Sequence, residues 1–235
     1  MANTYFRFKQ FIIHQERCAM KVCTDACLFG SWVASHSSHL TSVLDVGSGT
    51  GLLMMMLAQQ LDANIDGIEI NTDCYSQLSE NISQNEWKER FQIFNSDART
   101  FDFGKKYDLI ISNPPFYEND LPSDSEAEQL AKHSISFGFR DLINLSLKFL
   151  NNSGKLAVLL PYHRYDSFKS MAVQNGFYLS RATFVRQTLK HDYFRAMLLL
   201  QQDPCNMITE EISIRGKNEY SEAFIEMMKD YYLSL

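Results

Sequence analysis

Residues 4–13, Thr4-Tyr5-Phe6-Arg7-Phe8-Lys9-Gln10-Phe11-Ile12-Ile13, alternate aromatic and polar side chains and then turn apolar. A period of two predicts a strand or hairpin. Thr24 and Asp25 are N-cap residue types placed ahead of a stretch from Ala26 to Ala34, which predicts a short helix. From Ser42 the pattern changes to short apolar runs separated by longer segments of helical spacing. Strands are expected at 42–46, 64–69, 91–95, 107–112 and 155–160, with helices at 51–61, 72–86, 139–149 and 164–175. Two further strands, 177–186 and 193–201, are joined by a short turn and should pair antiparallel. The tail offers a strand near 209–214 and a helix from Ser221 to Tyr232. Alternating strands and helices predict a three-layer αβα sandwich with crossovers on both faces. No repeat or linker divides the chain, so residues 1–235 read as one domain with a leader over 1–40. One polar segment, 117–133, breaks the rhythm. Loops of that length are commonly functional, and this one is read as a substrate loop.

The turns between these elements carry the chemistry. The strand Ser42–Val46 runs into Gly47-Ser48-Gly49-Thr50-Gly51 and then the helix beginning at Leu52. Glycines at a strand's carboxyl end let backbone approach a ligand closely. The spacing is G-x-G-x-G; the third glycine of a dinucleotide fingerprint would fall on Leu52. Asp45, just ahead of the turn, would also repel a pyrophosphate. A cationic ligand without phosphate suits it better, and S-adenosylmethionine, with a sulfonium and an ammonium, is one. Glu69 ends the next strand about twenty residues on, where an acid commonly takes ribose hydroxyls. Asp97 follows the third strand, and its carboxylate can accept from an adenine amino group.

The fourth strand, Tyr107–Ser112, is stopped by Asn113-Pro114-Pro115-Phe116. Neither proline has a ladder donor and both fix φ, so the strand ends in a rigid elbow. It offers an amide, carbonyl oxygens and an aromatic face, a set suited to gripping a planar group that bears an NH2. Each feature alone has a plainer explanation as a turn or a helix cap. Four in order, at βαβ spacing, point to methyl transfer onto an exocyclic nitrogen.

Composition narrows the setting. The net charge of −6 argues against a protein held on nucleic acid by bulk charge, while leaving room for local basic faces at Arg181, Arg186, Lys190 and Arg195, and at Arg215 and Lys217. No apolar stretch is long enough for a membrane span, Arg7, Lys9 and Glu16 interrupt any signal-like core, and the five cysteines form no framework, which together predict a cytoplasmic protein. Cys18, Cys23 and Cys27 near His14 lack metal-ligand spacing and read as core residues, so no metal is expected. His133, His163 and His191 are read as surface or structural groups.

The set LDVGSGTGLL, the acids after strands two and three, and NPPF after strand four resemble amino-group methyltransferases that use S-adenosylmethionine. The leader FRFKQFIIHQERCAMKVCTDACLFGSW, residues 6–32, and the tail ISIRGKNEYSEAFIEMMKDYYL, residues 212–233, are similar to those of the bacterial tRNA1(Val) adenine(37)-N6-methyltransferase family. The resemblance covers essentially the whole chain. It implies a Rossmann-like class I methyltransferase fold, with a mostly parallel seven-stranded sheet and one antiparallel strand. It implies S-adenosylmethionine as cofactor, S-adenosylhomocysteine as product, and the anticodon stem-loop of a valine tRNA as partner. Asp45, Gly47, Gly49, Gly51 and Leu52 would line the cofactor, Glu69 and Ile70 its ribose side, and Asp97 with Ala98 its adenine. Lys21, Thr24 and Asp25 would close over the methionine end, and Asn113, Pro114, Pro115 and Phe116 would be catalytic, with Asn113 also counted among the residues that touch the cofactor. A monomer is favoured. Rival readings are methylation of ribosomal guanine N2, of DNA adenine or of a protein glutamine amide, a non-catalytic RNA-binding module, and an NAD-binding protein.

Overall fold

The computed structural model describes residues 3–114, 137–217 and 219–235. The leader forms a small antiparallel hairpin, β1 (Tyr5–Arg7) and β2 (Ile12–His14), with Phe6 opposite Ile13. Helix α1 (Thr24–Ser35) follows. The glycine turn joins β3 (Ser42–Val46) to α2 (Leu52–Gln60), and β4 (Asn64–Glu69), α3 (Thr72–Ser83) and β5 (Phe91–Asn95) complete that half. The second half holds β6 (Tyr107–Ser112), α4 (Phe139–Phe149), β7 (Leu150–Pro161), α5 (Tyr165–Gln174), β8 (Tyr178–Arg186), β9 (Tyr193–Gln201), β10 (Ile208–Ser213) and α6 (Glu222–Met228).

The main sheet has eight strands in the order β10-β8-β9-β7-β6-β3-β4-β5. Only β9 runs antiparallel to its neighbours, as expected. The expected count of seven is corrected by β10, which pairs parallel with β8 from Ile208 opposite Arg181 to Ser213 opposite Arg186. Its residues are mostly exposed, and Glu210 and Glu211 reach Arg181 and Arg186 of β8 at 2.7 and 2.8 Å. Charged side chains on an outermost strand discourage pairing with other chains.

Two apolar layers sandwich this sheet. On one face α1, α2, α3 and α6 pack around Trp32, Met54, Met55, Met56, Leu78 and Phe224. On the other, α4 and α5 cover Leu142, Ile143, Leu156 and Phe168. Helix α2 is apolar all round because it lies between the sheet and α1, so even its three consecutive methionines are buried. Leader and tail close the first layer together: the Lys9 N–H donates to the Tyr231 carbonyl at 2.8 Å, and the Tyr231 hydroxyl donates to the Met56 carbonyl at 3.1 Å.

Three helix ends differ from expectation, α3 stopping at Ser83 rather than at residue 86. The N-cap of α1 is Cys23, with no side-chain cap bond; Thr24 and Asp25 lie inside the first turn, because the Asp25 carboxylate is drawn instead to Arg195. Helix α6 ends at Met228 rather than Tyr232, although Ser221 caps it as its residue type predicts, accepting from the Phe224 N–H.

Strands β3 and β6 are adjacent and parallel, yet the chain leaves them toward opposite edges of the sheet. That is a topological switch point, where an open sheet leaves a crevice beyond the strands' carboxyl ends.

Candidate active site

Asp45 stands opposite Gly67 of β4 and Ile111 of β6, one residue before β3 ends. Its carboxylate is 1% exposed and neither oxygen has a hydrogen-bond partner. Burial, and then the nearby charge of Glu69, push its pKa from 3.8 up to about 8. A buried acid with no partner is costly unless a ligand completes it. The donor set it lacks is the one an ammonium would bring.

The turn beyond is held by backbone. The Gly47 and Ser48 N–H groups donate to the Ile68 carbonyl at 2.9 and 3.2 Å, and the Ser48 hydroxyl donates to the Asp45 carbonyl at 2.9 Å. Glu69, also buried, braces it: one oxygen accepts from the Gly49 N–H at 2.9 Å and the other from the Asn71 N–H at 2.8 Å. Gly47 and Gly51 have φ of +76° and +82°, the left-handed region. A Cβ on Gly47 would meet nothing within 4 Å, whereas one on Gly51 would lie 2.5 Å from Leu78 Cδ1. Gly47 therefore leaves room for a ligand, and Gly51 leaves room for α3. The residues at the end of β3 thus fit a cationic, phosphate-free cofactor.

The elbow opens one strand away. The Ser112 hydroxyl donates to the Val46 carbonyl at 2.8 Å and ties the ends of β6 and β3 together. Asn113 is part-exposed, with its amide nitrogen 3.9 Å from the Met20 sulfur, and Pro114 is buried. Pro115, Phe116, the segment 117–133 and His133 lie outside the described residues.

The other expected site residues divide into groups. Leu52 is buried at the start of α2, close to the glycine turn. Ile70 is 61% exposed at the end of β4. Asp97 lies just past β5 and is held by Arg99, through its side chain at 2.6 Å and its N–H at 2.9 Å; these bonds keep its carboxyl below the usual range. Ala98 packs against the second apolar layer. In the leader, Lys21 donates to the Gln15 carbonyl, Thr24 opens α1, and Asp25 pairs with Arg195 at 2.7 Å. The structure brings Asp45, the glycines, Leu52, Glu69, Asn113 and Pro114 to one edge of the sheet. Lys21, Thr24 and Asp25 are committed to contacts within the protein.

Sequence reasoning missed what brings the leader there. Met20 lies against Asn113, and the buried Cys18 thiol sits near Cys74 of α3, Glu69 and Lys21, its pKa raised chiefly by burial and then by Cys74. Arg195 anchors Asp25 from 170 residues away. The basic residues noted at Arg181 and Arg186 are likewise ion-paired. Among the described residues no group of three or more His, Cys, Asp or Glu is placed to hold a metal, and no helix is long and apolar enough to cross a membrane.

Residues 31–166 match the family described as methyltransferase small domain. A solved structure titled as a predicted O-methyltransferase, protein Atu636 from Agrobacterium tumefaciens, has a TM-score of 0.64 at 14% identity, covering 88% of this chain and 96% of that one. The glycopeptide N-methyltransferase MtfA, solved in complex with S-adenosyl-L-methionine, has a TM-score of 0.55 at 11% identity, covering 77% and 94%. Fold and family together define a class I methyltransferase. A curated relative from Trichodesmium erythraeum, named tRNA1(Val) (adenine(37)-N6)-methyltransferase, is 37% identical over 239 residues, 99% of each chain. The chain belongs to that family of full-length relatives.

Proposed function

We propose that the protein transfers a methyl group from S-adenosylmethionine to the N6 amine of adenosine 37 in a valine tRNA, beside the anticodon. One observation carries the chemistry: a buried, unpartnered carboxylate and an Asn-Pro elbow open from adjacent strands at the same edge. The relative's name supplies the substrate.

S-adenosylmethionine supplies an electrophilic methyl group on a sulfonium. Asp45 receives the cationic methionine end, in front of the turn where Gly47 has no side chain. Glu69 spends one lone pair per oxygen on backbone and keeps the others for ribose hydroxyls. Asp97 and Ala98 take the adenine edge, and Ile70 offers it an apolar face. Lys21, Thr24 and Asp25 shape the leader that closes the methionine end.

The adenine amine is a poor nucleophile because its lone pair is delocalised into the ring. Asn113 Oδ1 and the Pro114 carbonyl accept its two hydrogens, which favours a pyramidal nitrogen with a directed lone pair. The same oxygens stabilise positive charge as it develops on nitrogen, and alignment lowers the barrier further. Pro115 and Phe116 lie outside the described residues; by resemblance they complete the motif, and Phe116 is the aromatic type on which an everted base would stack. The surplus proton leaves to water, so no histidine base is required. Acting on tRNA, the protein would work in the cytoplasm, residues 1–235 would serve as one domain, and the transfer as written calls for no metal.

The test is methyl transfer to an unmodified valine tRNA transcript, followed by nucleoside mass spectrometry. One N6-methyladenosine should appear, and none when position 37 is guanosine. Methylation of guanine N2 instead, or of protein alone, would end this reading.

A further inference from the structure

The edge that holds the elbow continues across β7 to β10. Val158 of β7 stands opposite Ser112, but β7 runs on to Pro161, which faces Arg195 of β9. Tyr162 therefore lies beyond the end of β6, and it is part-exposed. Its ring centroid is 5.1 Å from those of both Phe184 and Tyr193. The Arg186 guanidinium carbon lies 5.3 Å from the Tyr193 centroid, and that group is fixed by Glu211 at 2.8 Å and Ser213 at 3.1 Å. Farther along, Arg215 lies 4.9 Å over Tyr220. Along this edge Arg164, Arg186, Lys190, Arg195, Arg215 and Lys217 stand against Asp192 and Glu219 and against Glu211 and Asp25, which pair with Arg186 and Arg195, in a chain of net charge −6. An acidic protein thus concentrates cations and aromatic rings on the edge beside its elbow.

We propose that this edge binds the single-stranded RNA flanking the target nucleotide, with Tyr162 and Tyr193 stacking on bases and Lys190 and Lys217 meeting phosphates. The inference rests on the reading of the elbow as a site for an RNA base. Aromatic faces with interleaved cations are the sequence-tolerant chemistry of single strands. A nucleotide drawn out of its stack leaves its neighbours without stacking partners, and the edge supplies them. Arg186 and Arg195 are occupied by Glu211 and Asp25, so phosphate attraction rests chiefly on the exposed turn residues, of which Lys190 and Lys217 are the lysines.

The experiment measures binding of a fluorescent eight-nucleotide single-stranded RNA and, separately, the KM for valine tRNA. Tyr193→Leu keeps apolar cover and removes the aromatic face; it should weaken RNA binding about ten-fold. Tyr193→Phe should stay within about two-fold, and affinity for S-adenosylhomocysteine should not move in either variant. Lys190→Glu with Lys217→Glu changes only exposed turns and should flatten the salt dependence of binding. Wild-type failure to bind the oligonucleotide, or unchanged binding in both Tyr193→Leu and the double variant, overturns the proposal. RNA binding with this variant pattern but no methyl transfer to tRNA would remove the reaction and leave the surface standing. Normal transfer with an unchanged KM in both variants would do the reverse.

Discussion

Asp45 keeps its proton at neutral pH while nothing cationic lies against it, because its pKa is raised to about 8. The folded protein then binds a proton that the unfolded chain releases near 3.8. This group's contribution to stability is full below that value and declines as pH rises through about 8. An ammonium beside the carboxylate reverses the preference and favours the ionised form. Binding of S-adenosylhomocysteine, which retains the ammonium, should therefore release close to one proton at pH 7. Titration calorimetry in two buffers of different ionisation enthalpy reads this directly. Asp45→Asn should abolish the release, and a wild-type binding heat independent of buffer would contradict the role. Asn113 acts at a different stage. Its oxygen matters mainly as charge develops on the acceptor, so Asn113→Ala should lower kcat by about 10²–10³. Cofactor affinity should stay within about two-fold, and a near-normal kcat would remove Asn113 from the mechanism.

At the scale of elements, the glycine turn separates two jobs that the sequence alone could not. Both Gly47 and Gly51 sit at positive φ, so alanine costs about 1–2 kcal/mol at either. Gly51→Ala adds a clash with Leu78, whereas Gly47→Ala projects into the space in front of the turn. Gly51→Ala should therefore lower Tm more, at ~2–4 °C per kcal/mol for a chain of this size. Gly47→Ala should lose more affinity for S-adenosylhomocysteine. Paired melting and binding measurements check the ordering, and its reversal would show the turn has been assigned backwards. The turn was readable because Asp45 and its glycines are contiguous and their chemistry is local. Strands 107–112 and 193–201 were readable as short, mostly apolar runs, and they prove buried on both faces; the helix 139–149 was readable from its 3.6-residue period. The place of β10 was not, because four of its residues are exposed and its order comes from β8, a distant partner. Nor was the fate of Asp25. An acid at a helix start reads as a cap, and nothing nearby signals an arginine on β9.

For the whole molecule, the leader and the tail form one closure over the first apolar layer. The Phe6 and Tyr232 rings lie 5.7 Å apart, and the Phe224 and Tyr232 rings 6.1 Å apart. The leader then runs on to Met20, against the elbow. Site geometry therefore depends on residues near the end of the chain that touch no substrate. Phe224 is fully buried beneath this closure, and Phe224→Ala should cost about 3–5 kcal/mol. That is a large share of the ~5–15 kcal/mol typical of a folded domain, so the loss should appear first as local opening. Hydrogen exchange should speed up together in α6 and in the hairpin β1–β2, although α6 and the hairpin are about two hundred residues apart, while β6 and β7 keep their protection. Methyl transfer should fall with the same variant, since the leader that carries Met20 opens with the tail. Faster exchange confined to α6, with the hairpin unchanged, would show that leader and tail fold independently and that the elbow does not depend on the tail.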